Sequence, residues 1–106
     1  MRLKDKVAIV TGAAQGIGFG VAELFVREGA IVYLADVNGD AAAAAAAKLG
    51  SSAIGKKCDI SKKAACVQLV ADVVAEQGHL DVLVNNAGIL RTGDVLEISE
   101  EDYDAV

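Results

Sequence analysis

Proline is absent from this chain, and aromatic residues make up only 4% of it. No linker, repeat or disordered tract breaks its pattern. With so few rings and 54% hydrophobic residues, the core must be aliphatic and alanine-rich, which suits helices packed closely on a parallel sheet. Basic residues are outnumbered, 10 against 15 acidic, for a net charge of −5, and they form no cluster. That balance argues against nucleic acid as a partner. Cysteine occurs twice, as Cys58 and Cys66, in no metal-ligand spacing. Both are read as buried thiols in a reducing cytosol, without a metal or redox role. Long apolar runs are also missing. The charged start, Met1-Arg-Leu-Lys-Asp-Lys6, leads into an apolar run of only four residues, too short for a signal peptide or a membrane span. The expected location is therefore cytoplasmic, and no membrane partner is expected. A length of 106 residues fits one domain, residues 1–106, and not two. It is about the size of one mononucleotide-binding half of a doubly wound fold.

What is present is concentrated near the start. Thr11-Gly-Ala-Ala-Gln-Gly-Ile-Gly18 follows the apolar run Val7-Ala8-Ile9-Val10 and precedes an amphipathic segment. This reads as a strand, a glycine-rich turn and a helix start, an arrangement that brings backbone N–H groups and a helix N-terminus against a phosphate. Gly12 permits the tight exit from the strand, Gly16 leaves room for a pyrophosphate, and Gly18 lets the helix approach the sheet. Ala14, Gln15 and Ile17 complete the candidate turn. Asp36 follows at the end of the next apolar run, where a carboxylate accepts hydrogen bonds from the hydroxyls of an adenosine ribose. It repels a 2′-phosphate. Gln15, Val37 and Asn38 stand where an Arg or Lys would offset that repulsion, so NAD is expected in preference to NADP.

The remaining pattern alternates strand and helix. Strands are expected at Val7–Val10, Ala30–Ala35, about Ser52–Cys58, and Leu80–Val84. The first helix is expected from about Gln15 to Glu28, with Ile17, Val21, Leu24 and Phe25 on its buried face and Gly29 as its stop. The second contains seven consecutive alanines, Ala41 to Ala47, capped by Asp40 and ended by Gly50. The third runs from a Ser61 cap to Gln77, with Val67, Val70 and Val74 as its apolar stripe and Gly78 as its end. A loop to Ile98 is expected next, then a helix start at Ser99-Glu-Glu-Asp102. Right-handed crossovers make the sheet parallel. The expected class is thus α/β, a Rossmann-type parallel sheet with flanking helices, with four strands of a truncated doubly wound fold.

Three further positions carry possible chemistry. Asp59 follows strand 3, where its carboxylate can accept from an adenine amino group while Ile60 packs on the ring; a turn aspartate is the simpler alternative. Asn85-Asn86-Ala87-Gly88 ends strand 4, at the sheet end where open α/β folds bind ligands. The small Ala87 and Gly88 permit close approach, and the asparagine amides can tie strand ends together. His79 precedes strand 4, at the opposite end, and is expected in a surface turn.

Together these residues resemble the short-chain dehydrogenase/reductase family. The turn 11–18 is similar to its cofactor motif, Asp36 to its NAD-selecting acid, Asp59 to its adenine contact, and 85–88 to its signature after strand 4. The resemblance covers essentially the whole chain. It implies NAD as cofactor, contacts to it from Val37, Ile60 and Asn86 as well, a homo-oligomer, and oxidation of alcohols or reduction of carbonyls. The family's proton chemistry uses a Ser, a Tyr with a Lys four residues on, and an assisting Asn. Here Tyr33 is followed at that spacing by Val37, and nothing stands at that spacing after Tyr103. Ser51, Ser52, Ser61 and Ser99 fall outside the matching position. No catalytic residue and no metal ligand is therefore assigned. The reading is the cofactor-binding, N-terminal part of an oxidoreductase, inactive alone, with small-molecule substrates only in a complete enzyme. The alternatives are a stand-alone nucleotide-binding or regulatory module, and a scaffold without a ligand.

Overall fold

Continuous apolar runs form the centre of the molecule. In the computed structural model, which describes residues 2–85 and the strand 96–99, β1 (Val7–Thr11) is buried along its whole length. It lies between β2 (Ile31–Asp36) and β4 (Val82–Asn85) and is parallel to both. β3 (Ala53–Lys57) pairs outside β2, and β5 (Leu96–Ser99) pairs outside β4, so the order is β3-β2-β1-β4-β5 with every pair parallel. The four expected strands are in place. The fifth corrects the sequence reading, which had a loop as far as Ile98 and a helix cap at Ser99. Leu96–Ser99 pairs with Val82–Asn85 instead, so the β4 edge is covered along that stretch. The rest of the expected helix start, residues 100–102, lies outside the described residues.

Two helices cover one face. α1 (Gly16–Arg27) turns Gly18, Val21 and Ala22 inward, and Phe25 packs partly against the same core. Ile17 and Leu24, expected inside, are 43% and 40% exposed. The contact surface is made of small residues, because they let the helix approach the strands closely. α2 (Gly39–Leu49) is the alanine run, and it buries Ala42, Ala45 and Ala46. Its fit to the sheet is tight. A Cβ at Gly55 of β3 would stand 2.7 Å from the Ala42 carbonyl group and from Ala43 Cα. The N-cap is Asn38 rather than Asp40: its Oδ1 accepts from the Ala41 amide at 3.0 Å, because the helix begins before Asp40. Gly29 and Gly50 end these helices with φ of 95° and 99°, values open to glycine.

α3 (Lys63–Gln77) covers the other face alone among the described residues, and Gly78 closes it in the left-handed conformation. Its buried stripe is Cys66, Leu69 and Val73. The expected stripe is offset by one residue, so that Val67 and Val74 are 55% and 40% exposed and Val70 half-buried. Ser61 is not the cap. Lys62 occupies that position with no side-chain bond, and the Ser61 hydroxyl turns back to Asp59. At the far end of α3, the buried Tyr33 hydroxyl donates to Glu76 Oε1 at 3.0 Å and accepts from Gln77 Nε2 at 3.0 Å. Burial raises the Tyr33 phenol above its ordinary pKa, and the Glu76 carboxylate adds to the effect. No helix among the described residues is long and apolar enough to cross a membrane.

Candidate functional site

A parallel sheet brings the C-terminal ends of all its strands to one edge. β1 runs out to β2 and β3 on one side and to β4 on the other, so the chain's direction of winding reverses beside β1. The crevice outside that reversal is where open α/β sheets bind ligands. Thr11, Asp36, Lys57 and Asn85 end their strands at this edge.

The glycine turn begins there. Gly12 and Gly16 have φ of 61° and 66°, in the region that favours glycine. Among the described residues, a Cβ on Gly16 would meet nothing within 4 Å, so they leave open the space before the first turn of α1. Gln15 is the N-cap and its side chain makes no capping bond. The first amides of α1 therefore have no side-chain acceptor from that cap, and they carry the positive end of the helix dipole. Gly18 is buried against the sheet, and Ile17 is exposed beside the turn.

Asp36 faces this turn from the end of β2. Its Oδ2 accepts from the Ala14 amide at 3.3 Å and its Oδ1 from the Asn38 amide at 3.1 Å. Two backbone donors thus fix the carboxylate between the glycine turn and the start of α2. Val37, the next residue, is 62% exposed and leaves an apolar side chain open at the rim.

Asp59 bonds within its own turn, just past the end of β3. Its Oδ1 accepts from both the Ser61 amide at 3.0 Å and the Ser61 hydroxyl at 2.6 Å. These bonds hold the carboxyl below its ordinary pKa. Ile60 packs partly against the core under α3, and its carbonyl accepts from the Cys66 thiol at 3.6 Å. Cys58 and Cys66 are both buried and free, in keeping with their reading as buried thiols. Burial, with Cys66 as a close neighbour, pushes the Cys58 thiol up to about 11.

Asn85 is buried at the end of β4, and the Thr11 hydroxyl lies within donating distance of Asn85 Oδ1 (3.2 Å) and Val84 O (3.3 Å). This is the expected tie between strand ends. Thr11 is the partner that sequence reasoning missed, although a hydroxyl at the last position of an otherwise apolar strand was the available signal. Asn86, Ala87 and Gly88 lie outside the described residues. His79 sits at the opposite end of the sheet, where Nε2 is 3.0 Å from Asp81 Oδ2 and 3.1 Å from Asp5 O. Asp81 Oδ2 in turn accepts from the Val7 amide at 2.8 Å, so this cluster secures the start of β1. No group of three metal-ligating side chains occurs among the described residues.

An all-parallel sheet with helices on both faces, a glycine turn leading into α1 and an acid fixed at the end of β2 define a Rossmann-type α/β protein. Residues 6–106 match the short chain dehydrogenase family, and the chain belongs to it, corresponding to its N-terminal part. It is 43% identical over 104 residues to a sorbitol dehydrogenase of Cereibacter sphaeroides, covering 98% of this chain and 41% of that protein. It is also 43% identical to a galactitol 2-dehydrogenase of Agrobacterium fabrum, over all of this chain and 41% of that one. Among solved structures, the 3-ketoacyl-(acyl-carrier-protein) reductase of Brucella melitensis, complexed with NADH, superposes with a TM-score of 0.76 at 36% identity. That match covers 97% of this chain and 43% of the reductase. The chain thus spans about two-fifths of the length of the curated relatives it matches.

Proposed function

We propose that this chain carries the nicotinamide-dinucleotide site of an oxidoreductase that transfers hydride between an alcohol or carbonyl compound and NAD. The observation that carries the reading is Asp36, held by the Ala14 and Asn38 amides beside the open first turn of α1. The residues fit such a cofactor. Gly12, Ala14, Gln15, Gly16, Ile17 and Gly18 form the pyrophosphate cradle, Asp36 and Val37 the ribose and adenine rim, and Asp59 and Ile60 the far wall. Asn86, Ala87 and Gly88 are assigned to the same site on the family resemblance. When bound, the cofactor supplies the hydride chemistry; the residues of this chain bind and orient it.

NAD in preference to NADP follows from the fixed carboxylate, which repels a 2′-phosphate. A relative complexed with NADH supports the cofactor class, and relatives named for sorbitol and galactitol support an alcohol as substrate. The family resemblance further supports a cytoplasmic homo-oligomer, which light scattering on a dilution series tests. The cofactor reading is tested by titrating the chain with NADH and NADPH and following nucleotide fluorescence. NADH binds more tightly, and Asp36→Ala weakens NADH by roughly tenfold, the loss of about one charge-assisted hydrogen bond, and narrows the preference. Equal or tighter binding of NADPH by the unaltered chain contradicts the cofactor preference.

A further inference from the structure

The sequence offers no basic residue next to Asp36 along the chain. The fold supplies one from another strand. In the β2–β3 register Asp36 is paired with Lys57, and registered residues of parallel strands project from the same face of the sheet. The face is that of α1 and α2, since the stem of Lys57 lies along Gly39 at the start of α2: a Cβ there would meet Lys57 Cβ at 3.0 Å, Cγ at 3.5 Å and Cδ at 3.6 Å. The neighbouring Lys56 projects the other way. Its ammonium is 3.2 Å from Glu76 Oε2 and 5.9 Å from the centre of the Tyr33 ring. Lys57 is exposed and forms no ion pair among the described residues. Adjacent strands are about 4.8 Å apart, so its ammonium ranges within a Debye length, about 8 Å, of whatever Asp36 holds.

We propose that Lys57 is a specificity-determining residue of this site, a cation delivered across the sheet that attracts a phosphate on the adenosine ribose and leaves the chain with measurable affinity for NADP(H). The inference rests on the cofactor reading given above. Asp36 is tied by two amides and stays in place, whereas Lys57 is free to turn toward an anion on the ribose. Preference for NAD is then a balance between a fixed negative charge and a mobile positive one.

The test is fluorescence titration of the unaltered chain, Lys57→Gln and Lys57→Arg with NADH and with NADPH. For charges about 7 Å apart in a water-like dielectric, Lys57→Gln weakens NADPH by roughly three- to tenfold and NADH by less than about twofold. Lys57→Arg restores the NADPH affinity, and raising the salt concentration shrinks the difference between the unaltered chain and Lys57→Gln. An unchanged ratio of the two affinities, or an equal loss for both nucleotides, overturns the role of Lys57 and leaves the cofactor reading standing. Failure of the unaltered chain to bind either nucleotide overturns that reading and this inference together.

Discussion

Gly16 concentrates two requirements at one position. Its φ of 66° is costly for a side chain, and its missing Cβ leaves open the space before α1. The conformational cost of a side chain there is about 1–2 kcal/mol. Gly16→Val is therefore expected to lower stability by about that amount in urea melts and to abolish NADH binding outright, because the branched side chain fills the space proposed for the pyrophosphate. Retained NADH affinity in a folded Gly16→Val protein would place the nucleotide elsewhere. Asp36 and Asp59, both identified from their positions after strands, differ in their surroundings. Asp36 spans two segments that are distant in sequence, while the Asp59 carboxylate, among the described residues, bonds its near neighbour Ser61. The sequence held both acids but not this difference, since the amide of Ala14 reaches Asp36 only through the sheet. Lys57 shows the same limit: its relation to Asp36 exists only as a strand register.

The strands β1, β2 and β4 were legible because buried parallel strands need uninterrupted apolar runs, and glycines marked where helices stop; β3, Ala53 to Lys57, has no such run and was legible only from its place between the helix stop at Gly50 and the cap signal at Ser61. β5 was not, because four residues, Leu96 to Ser99, carry no run of that kind and become a strand only by pairing with β4. The face of α3 failed for another reason. Val67, Val70 and Val74 have the same spacing as Cys66, Leu69 and Val73, one residue apart, and periodicity alone cannot choose between them. Packing under Ile9, Tyr33 and Leu83 chooses the stripe with the leucine. The two stripes make a direct comparison. Val73→Ala is expected to cost about 1–3 kcal/mol from lost burial and a small cavity. Val67→Ala, on the exposed side, stays within about 0.5 kcal/mol of the unaltered protein. Chemical denaturation measures both, and the reverse order would reinstate the stripe first read from the sequence.

At the scale of the whole molecule, the sheet separates a sealed side from an open edge. Between α3 and the strands, Cys58 and Cys66 are buried with Val7, Ile9, Tyr33 and Leu83. The Cys58 thiol, raised by burial to about 11 from an ordinary value near 9, stays protonated at neutral pH. Native protein is accordingly expected to resist alkylation by iodoacetamide at pH 7 and to react faster as pH rises, with mass spectrometry following the adduct. The sign for stability follows. The unfolded chain releases this proton first, so the Cys58 contribution is intact below about pH 9 and is lost as pH climbs through 9 to 11. The open edge is the reverse case, a rim of strand ends and helix-start amides gathered by topology from segments as far apart as Thr11 and Asn85. The central claim is that this edge is a dinucleotide site. Backbone amide shifts in a 15N-labelled sample titrated with NADH test it most directly. The account predicts saturable shifts centred on Gly12 to Gly18, Asp36 and Val37, with the His79–Asp81 end of the sheet unmoved. Shifts absent from the glycine turn, or centred on the His79 end, would contradict it.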